Sequence, residues 1–206
     1  PNILRVFELN LDGGFAFITM ELLSGETLQQ RLATAHLSFR SGRPLLSIEE
    51  VDHITEQLCN ALAYCHEQDL VHSDIKPENI ILTPEGSARI IDFGLAKVAS
   101  RRGGFDATRI IAGTLAYMAP ELFEGDVSAV HPATDLYAFG VLLYLLASGQ
   151  LPWAQINQMS LMMAKATGEM RPFVQRPGSD APPGLDRLIA RLMAQHPAHR
   201  PALAAD

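Results

Sequence analysis

The sequence predicts an α+β fold, with antiparallel strands toward the front of the chain and helices filling most of the remainder. Three observations predict it. Two β-prone runs flank Asp12-Gly13-Gly14 near the start, and a second pair of short apolar runs flanks Thr83-Pro84-Glu85-Gly86-Ser87. Beyond residue 121 the chain then reads as mostly helical, with apolar residues at helical spacing.

Residues 4–11 and 15–21 read as the two strands of the opening hairpin, because Asp-Gly is a strong short-range turn signal. Ser24-Gly25 ends the second run, residues 28–35 have helical character, and Ser41-Gly42-Arg43-Pro44 marks an exposed loop. Ser47 followed by Glu50 forms a capping box, after which Val51, Ile54, Leu58, Ala61, Leu62 and Cys65 recur at helical spacing, predicting a long helix that ends near His66. Residues 80–82 and 88–91 form the second hairpin, which brings Asn79 and Asp92 to its outer ends. Periodicity is weak from 92 to 121, where Arg101-Arg102-Gly103-Gly104 reads as a mobile loop; helices are expected around 134–148, 157–167 and 185–195. No internal repeat or low-complexity segment appears.

With 206 residues and 48% hydrophobic content, the chain can bury a sizeable core in one large or two small domains. Its net charge of -7 gives no footprint for nucleic acid, and no polybasic run suits an anionic membrane. The most apolar stretch, 136–147, is too short for a bilayer span of about 20 residues and reads as a buried core helix. Cys59 and Cys65 lie about 9 Å apart along a helix axis and on different faces, so they cannot pair; a reducing, cytoplasmic setting fits best.

The chemistry-bearing stretch is His72-Ser73-Asp74-Ile75-Lys76-Pro77-Glu78-Asn79, followed by Asp92-Phe93-Gly94. An aspartate and a lysine two apart can flank a hydroxyl acceptor and the phosphate it attacks, while an asparagine and a second aspartate offer oxygen ligands suited to Mg²⁺. Any one of these residues alone reads as a turn or cap; the set at these offsets points to phosphoryl transfer.

On these motifs, and on Ala119-Pro120-Glu121, Asp135 with Gly140, and Arg200, the whole chain resembles a eukaryotic-like (Hanks-type) serine/threonine protein kinase of the bacterial type. The resemblance implies a protein-kinase-like fold, with residual small-lobe strands and hinge over 1–23 and the helical large lobe over 24–206. It implies that Asp74 is the catalytic base, that Lys76 stabilises the transferred phosphoryl group, and that Thr114 shapes the acceptor site. Lys76 at that place is the family's mark of serine/threonine specificity. The resemblance also implies that Asn79 and Asp92 hold Mg²⁺ and that ATP lies against Met20, Glu21 and Leu23 of the hinge, with Thr27 near the ribose and Leu28 and Ile81 beneath adenine. For Leu28 and Ile81 an ordinary core role weighs equally without the family context. The resemblance further implies a Glu121–Arg200 ion pair, an Asp135 anchor for the catalytic loop, and an apolar spine containing His72 and Phe93.

Two departures shape the expected function. Ser73 stands where many relatives carry the arginine that receives an activation-loop phosphate, so activity independent of that phosphorylation is expected, unless Arg89, Lys97 or Arg101 supplies the charge. The resemblance begins at the family's fourth strand, so the glycine-rich loop, the small-lobe lysine and its glutamate partner are not among these residues. The expectation is an ATP-dependent kinase as the intact parent, acting on serine or threonine of a protein substrate. The fragment alone is expected to be inactive, its ATP site completed by the missing lobe or a partner chain. A pseudokinase or scaffold is the main alternative, opposed by the intact catalytic set; a small-molecule phosphotransferase is opposed by the segment from Gly113-Thr114 to Glu121.

Overall fold

The computed structural model describes residues 1–12, 15–39, 46–93, 112–123, 130–153, 157–174, 181–202 and 204, with the backbone alone at 16, 35–39 and 112–114. The turn at Gly13-Gly14, the loops at 41–44 and 101–104, Gly94 and the Thr114 side chain therefore lie outside the described residues.

Both expected hairpins form. Strand β1 (Val6–Asp12) pairs antiparallel with β2 (Phe15–Met20), Val6 opposite Met20, with a bulge between Val6 and Glu8. Among the described residues this sheet has two strands only, and it leaves Phe7 at 55%, Leu9 at 71%, Leu11 at 82% and Phe15 at 77% exposure. A two-stranded sheet of this kind is marginal by itself. The second sheet has the order β3–β4–β5, built from Glu26–Thr27, Ile80–Leu82 and Ala88–Ile90. Strand β3 was not expected, because two residues carry no readable period. The chain start is fastened to this sheet: Leu4 N–H donates to the Ile90 carbonyl and Ile90 N–H to that of Asn2, both at 2.9 Å.

The helices follow the apolar spacing. Helix α1 (Leu28–Phe39) is capped by Thr27, whose hydroxyl accepts from Gln30 N–H at 3.1 Å while Gln30 Oε1 accepts from Thr27 N–H at 2.8 Å. Helix α2 (Ile48–Glu67) carries the expected capping box between Ser47 and Glu50 and buries every apolar position anticipated for it. Cys59 and Cys65 are free, and burial pushes each thiol up to about 11. Helix α3 (Ala112–Tyr117) runs into a 3₁₀ turn at Pro120–Leu122; neither was expected, since six residues hold less than two full turns of pattern. Helices α4 (Pro132–Ser148), α5 (Gln158–Thr167) and α6 (Leu185–Leu192) complete the chain.

Helix α4 is buried nearly all round, and α2, α3 and α6 pack against it. Burying each leucine of this core contributes about 1.5–3 kcal/mol. Gly140 sets the closest approach: a Cβ there would lie 2.8 Å from Leu192 Cβ and 2.9 Å from Met193 Cγ. No helix among the described residues is long and apolar enough to cross a membrane.

One ion pair closes the structure from residue 121 to residue 200. Arg200 Nη1 and Nη2 donate to Glu121 Oε1 and Oε2 at 2.7 and 2.9 Å, and its remaining N–H groups meet the carbonyls of Ala133, Ala194 and Gln195. The Arg200 side chain is wholly buried and that of Glu121 is 12% exposed. Removing one partner strands a charge, so Arg200→Leu should lower the unfolding free energy in denaturant titrations by about 3–5 kcal/mol.

A second expectation concerns acid. Desolvation raises the Glu50 pKa, but the Ser47 N–H and Arg31 outweigh it and hold the carboxyl below the usual 4.5. A carboxyl depressed in the folded state stabilises above its unfolded pKa, and that contribution is lost as pH falls through the folded value. Because both side chains of the Arg31–Glu50 pair are over a third exposed, the contribution is at most about 1 kcal/mol. The stability gap between wild type and Glu50→Gln should therefore narrow between about pH 6 and about pH 3, measured by urea titration at each pH.

Candidate active site

The β4–β5 register determines which chemistry-bearing residues meet. Ile80 faces Ile90 across the hairpin, and Ile91 N–H donates to the Asn79 carbonyl at 2.9 Å. Asn79, just before β4, and Asp92, just after β5, are thereby held at the same end of the sheet. The loop containing Asp74 enters from α2 and ends in the 3₁₀ turn Pro77–Asn79.

That loop has no strand partner, and its backbone is held by a buried charge. Asp135, fully buried in the first turn of α4, accepts the His72 and Ser73 N–H groups at 2.8 and 2.7 Å on its two oxygens. His66 Nε2 reaches the same carboxylate at 3.1 Å. The anchoring role expected for Asp135 thus has a direct geometric basis. Ser73 takes the left-handed φ of 65° and Asp92 one of 55°, conformations that non-glycine residues adopt only when their surroundings enforce them. Sequence reasoning offered no signal for either.

His72 Nδ1 accepts from Asp74 N–H at 3.2 Å, which leaves Nε2 as the protonated nitrogen donating to the Ile91 carbonyl at 2.9 Å. Its ring lies 4.7 Å from that of Phe93, joining the two motifs through one contact. Asp74 Oδ2 accepts from Lys76 Nζ at 2.8 Å and from Asn79 Nδ2 at 3.0 Å, and Asn79 Nδ2 also meets the Asp74 carbonyl. The side chains of Asp74 and Lys76 keep 23% and 17% exposure, enough to remain reachable. Asp74 Oδ1 has no hydrogen bond from the described residues.

The donor set fits Mg²⁺. The amide nitrogen of Asn79 is committed to Asp74, which leaves its Oδ1 as the side chain's remaining acceptor, and Asp92 is exposed at the same sheet end. Among the described residues no group of three or more His, Cys, Asp or Glu gathers as a closed cage. Two protein oxygens suit a cation that keeps most of its shell as water or phosphate oxygens.

The residues expected to form the hinge and nucleotide site lie as follows. Met20 ends β2 opposite Val6, and Glu21 N–H donates to the Arg5 carbonyl at 2.9 Å while its carboxylate accepts from Arg5 N–H at 2.8 Å and meets Arg89 Nη1 at 3.4 Å. Arg89 thus has one ion-pair contact, with Glu21, while Lys97 and Arg101 lie outside the described residues. Leu23 is half-buried, whereas Leu22 is 97% exposed. Thr27 spends its hydroxyl on the α1 cap, Leu28 is fully buried in the core, and Ile81 keeps partial exposure opposite Thr27.

A narrow cavity separates the catalytic loop from the segment after α3. Ser73, Asp74 and Ile75 form one wall, and Tyr117, Met118 and Ala119 another. Sequence reasoning missed the residue behind that second wall, Lys165 of α5. It is 2% exposed and donates to the carbonyls of Ala116 and Met118. The available signal was a lone cation one turn after Leu161 on a face otherwise apolar.

A profile of the family described as "Protein kinase domain" matches residues 1–205. Serine/threonine-protein kinase pkn3 of Myxococcus xanthus is 34% identical over 99% of this chain, and serine/threonine-protein kinase PknA of Mycobacterium tuberculosis is 34% identical over 94%. Serine/threonine-protein kinase PrkC of Bacillus subtilis is 28% identical over the whole chain. The chain spans 37%, 41% and 30% of the lengths of these three relatives. With the profile covering nearly every residue, the chain belongs to the protein kinase domain family, and the relatives it resembles are bacterial serine/threonine-protein kinases.

Proposed function

We propose that the protein containing this chain transfers the γ-phosphoryl group of ATP to serine and threonine hydroxyls of protein substrates. The observation that supports this most is the state of Asp74. One carboxylate oxygen is fixed by Lys76 and Asn79, the other has no hydrogen bond from the described residues, and Asp74 lines a narrow cavity together with residues 117–119.

In the proposed reaction the substrate hydroxyl oxygen attacks the γ-phosphorus while the bond from that phosphorus to the bridging oxygen of ADP breaks. The hydroxyl proton passes to Asp74 Oδ1, and ADP leaves with the electron pair of the broken bond. Lys76 stands at Asp74 Oδ2, where its ammonium opposes charge on the transferring group. Asn79 and Asp92 would hold Mg²⁺, which would supply charge neutralisation for the phosphates when bound. The loose transition state makes positioning and electrostatics the larger share of catalysis, so an anchored loop matters as much as the base it carries.

Hinge contacts to adenine through Met20, Glu21 and Leu23, a ribose contact near Thr27, a floor from Leu28 and Ile81, and an acceptor-site contact from Thr114 complete the reading. The exposed face of β1–β2 supports a requirement for further chain, either the rest of a small lobe or a partner, to clamp the nucleotide. Dependence on ATP and the two free thiols support a cytoplasmic location for this domain.

The full-length protein should transfer ³²P from γ-labelled ATP to a mixed serine/threonine peptide pool, and Asp74→Asn should lower kcat by about 10²–10⁴-fold. The 206 residues alone should show no transfer above background. Equal rates for wild type and Asp74→Asn would remove Asp74 from the chemistry and favour a docking role. Ser73 supports constitutive activity, so Ser100→Ala with Thr108→Ala should retain kcat within about threefold; a severe loss restored by glutamate at either position would overturn that reading.

A further inference from the structure

Among the described residues three strongly charged side chains are almost completely buried: Asp135, Arg200 and Lys165. The first anchors the catalytic loop and the second pairs with Glu121. The third faces no carboxylate at ion-pair distance among the described residues. Its Nζ donates to the Ala116 carbonyl at 2.6 Å and the Met118 carbonyl at 2.7 Å, and it lies 4.4 Å from the Trp153 ring centroid and 5.0 Å from that of Tyr137.

Those two carbonyls have an identifiable need for a donor. The i+4 partner of Ala116 in a continued helix is Pro120, which has no N–H. The Leu122 and Phe123 amides donate to Ala119 and Pro120, bypassing Met118. The sequence thus ends α3 with two buried acceptors that nearby backbone does not satisfy, and an amine from α5 satisfies both. Desolvation pulls the Lys165 pKa well below its usual value and the Glu121 charge partly opposes this. Either protonation state keeps at least two N–H donors, and the two ring faces favour the charged one.

We propose that Lys165 is a positioning residue for substrate docking: it fixes residues 116–119 at the height above Asp74 that a bound peptide requires, and takes no part in ATP binding or phosphoryl transfer itself. This rests on the kinase reading above. The geometry supports it directly, because Met118 is both a ligand of the amine and a wall of the cavity whose opposite wall contains Asp74. Methionine matches lysine in length and leaves both carbonyls without a donor, so Lys165→Met releases that wall while its core contacts remain.

The test uses the full-length protein. For Lys165→Met, the KM for a phosphorylatable peptide should rise roughly tenfold, while the KM for ATP and the slow hydrolysis of ATP by water stay within about twofold. Amide hydrogen exchange should accelerate at residues 115–119 and not in α2. A parallel fall in peptide transfer and ATP hydrolysis, or no change in either with exchange at 115–119 unaltered, overturns the proposal. If Lys165→Met does not fold, Trp153→Phe keeps an aromatic face beside the amine and must show the same split at about threefold; its absence also overturns the proposal. A wild type that phosphorylates no peptide defeats the kinase reading, whereas faster exchange confined to 115–119 in the variant still upholds the anchoring of that segment by Lys165.

Discussion

A loop that must present charged side chains to solvent cannot hide its backbone in a sheet, and here that difficulty is met by one buried carboxylate. Asp135, itself fully buried, accepts the amides of His72 and Ser73 on separate oxygens and a ring nitrogen of His66. An unpaired charge at such a depth is strongly unfavourable, so three donors converge on it and their positions become correlated. The enforced left-handed φ of Ser73 and the placement of Asp74 beside Lys76 and Asn79 both follow from that convergence.

The same physical device recurs at two other places where the chain leaves regular structure. Arg200 uses all its N–H groups on Glu121 and three carbonyls, tying the segment after α3 to the far end of the chain. Lys165 takes up the two carbonyls that Pro120 and the following turn leave without donors. Helix α4, apolar nearly all round, supplies the desolvated surroundings that make each of these contacts strong. The irregular segments around the site are therefore held by buried charges rather than by strand ladders.

Much of this was readable before the structure. The capping box at Ser47 and the alternation of apolar residues after it placed α2 to within a residue, because caps and amphipathic period are local signals. The spacing from Asn79 to Asp92 was legible for a similar reason: a short hairpin between them permits only one pairing of its ends. The parts that escaped depend on distant partners. Strand β3 exists because β4 pairs with it, and α3 is too short to show a period. Lys165 drew no reading from the sequence: its place on an otherwise apolar face is a local signal, but its partners, the Ala116 and Met118 carbonyls, are distant in the chain. Thr27 shows a further limit, where the residue assigned to a ligand by resemblance also serves as a helix cap.

The central claim is that a buried charge, rather than loop sequence, holds the catalytic loop in its working shape. Residue-resolved hydrogen exchange of the His72 and Ser73 amides, compared between wild type and Asp135→Asn, tests it most directly. Removing the charge while keeping the side chain's size should speed exchange at those two amides by at least about tenfold and leave the amides in the middle of α2 unchanged. Unchanged exchange at 72 and 73, or acceleration spread evenly through α2, would contradict it.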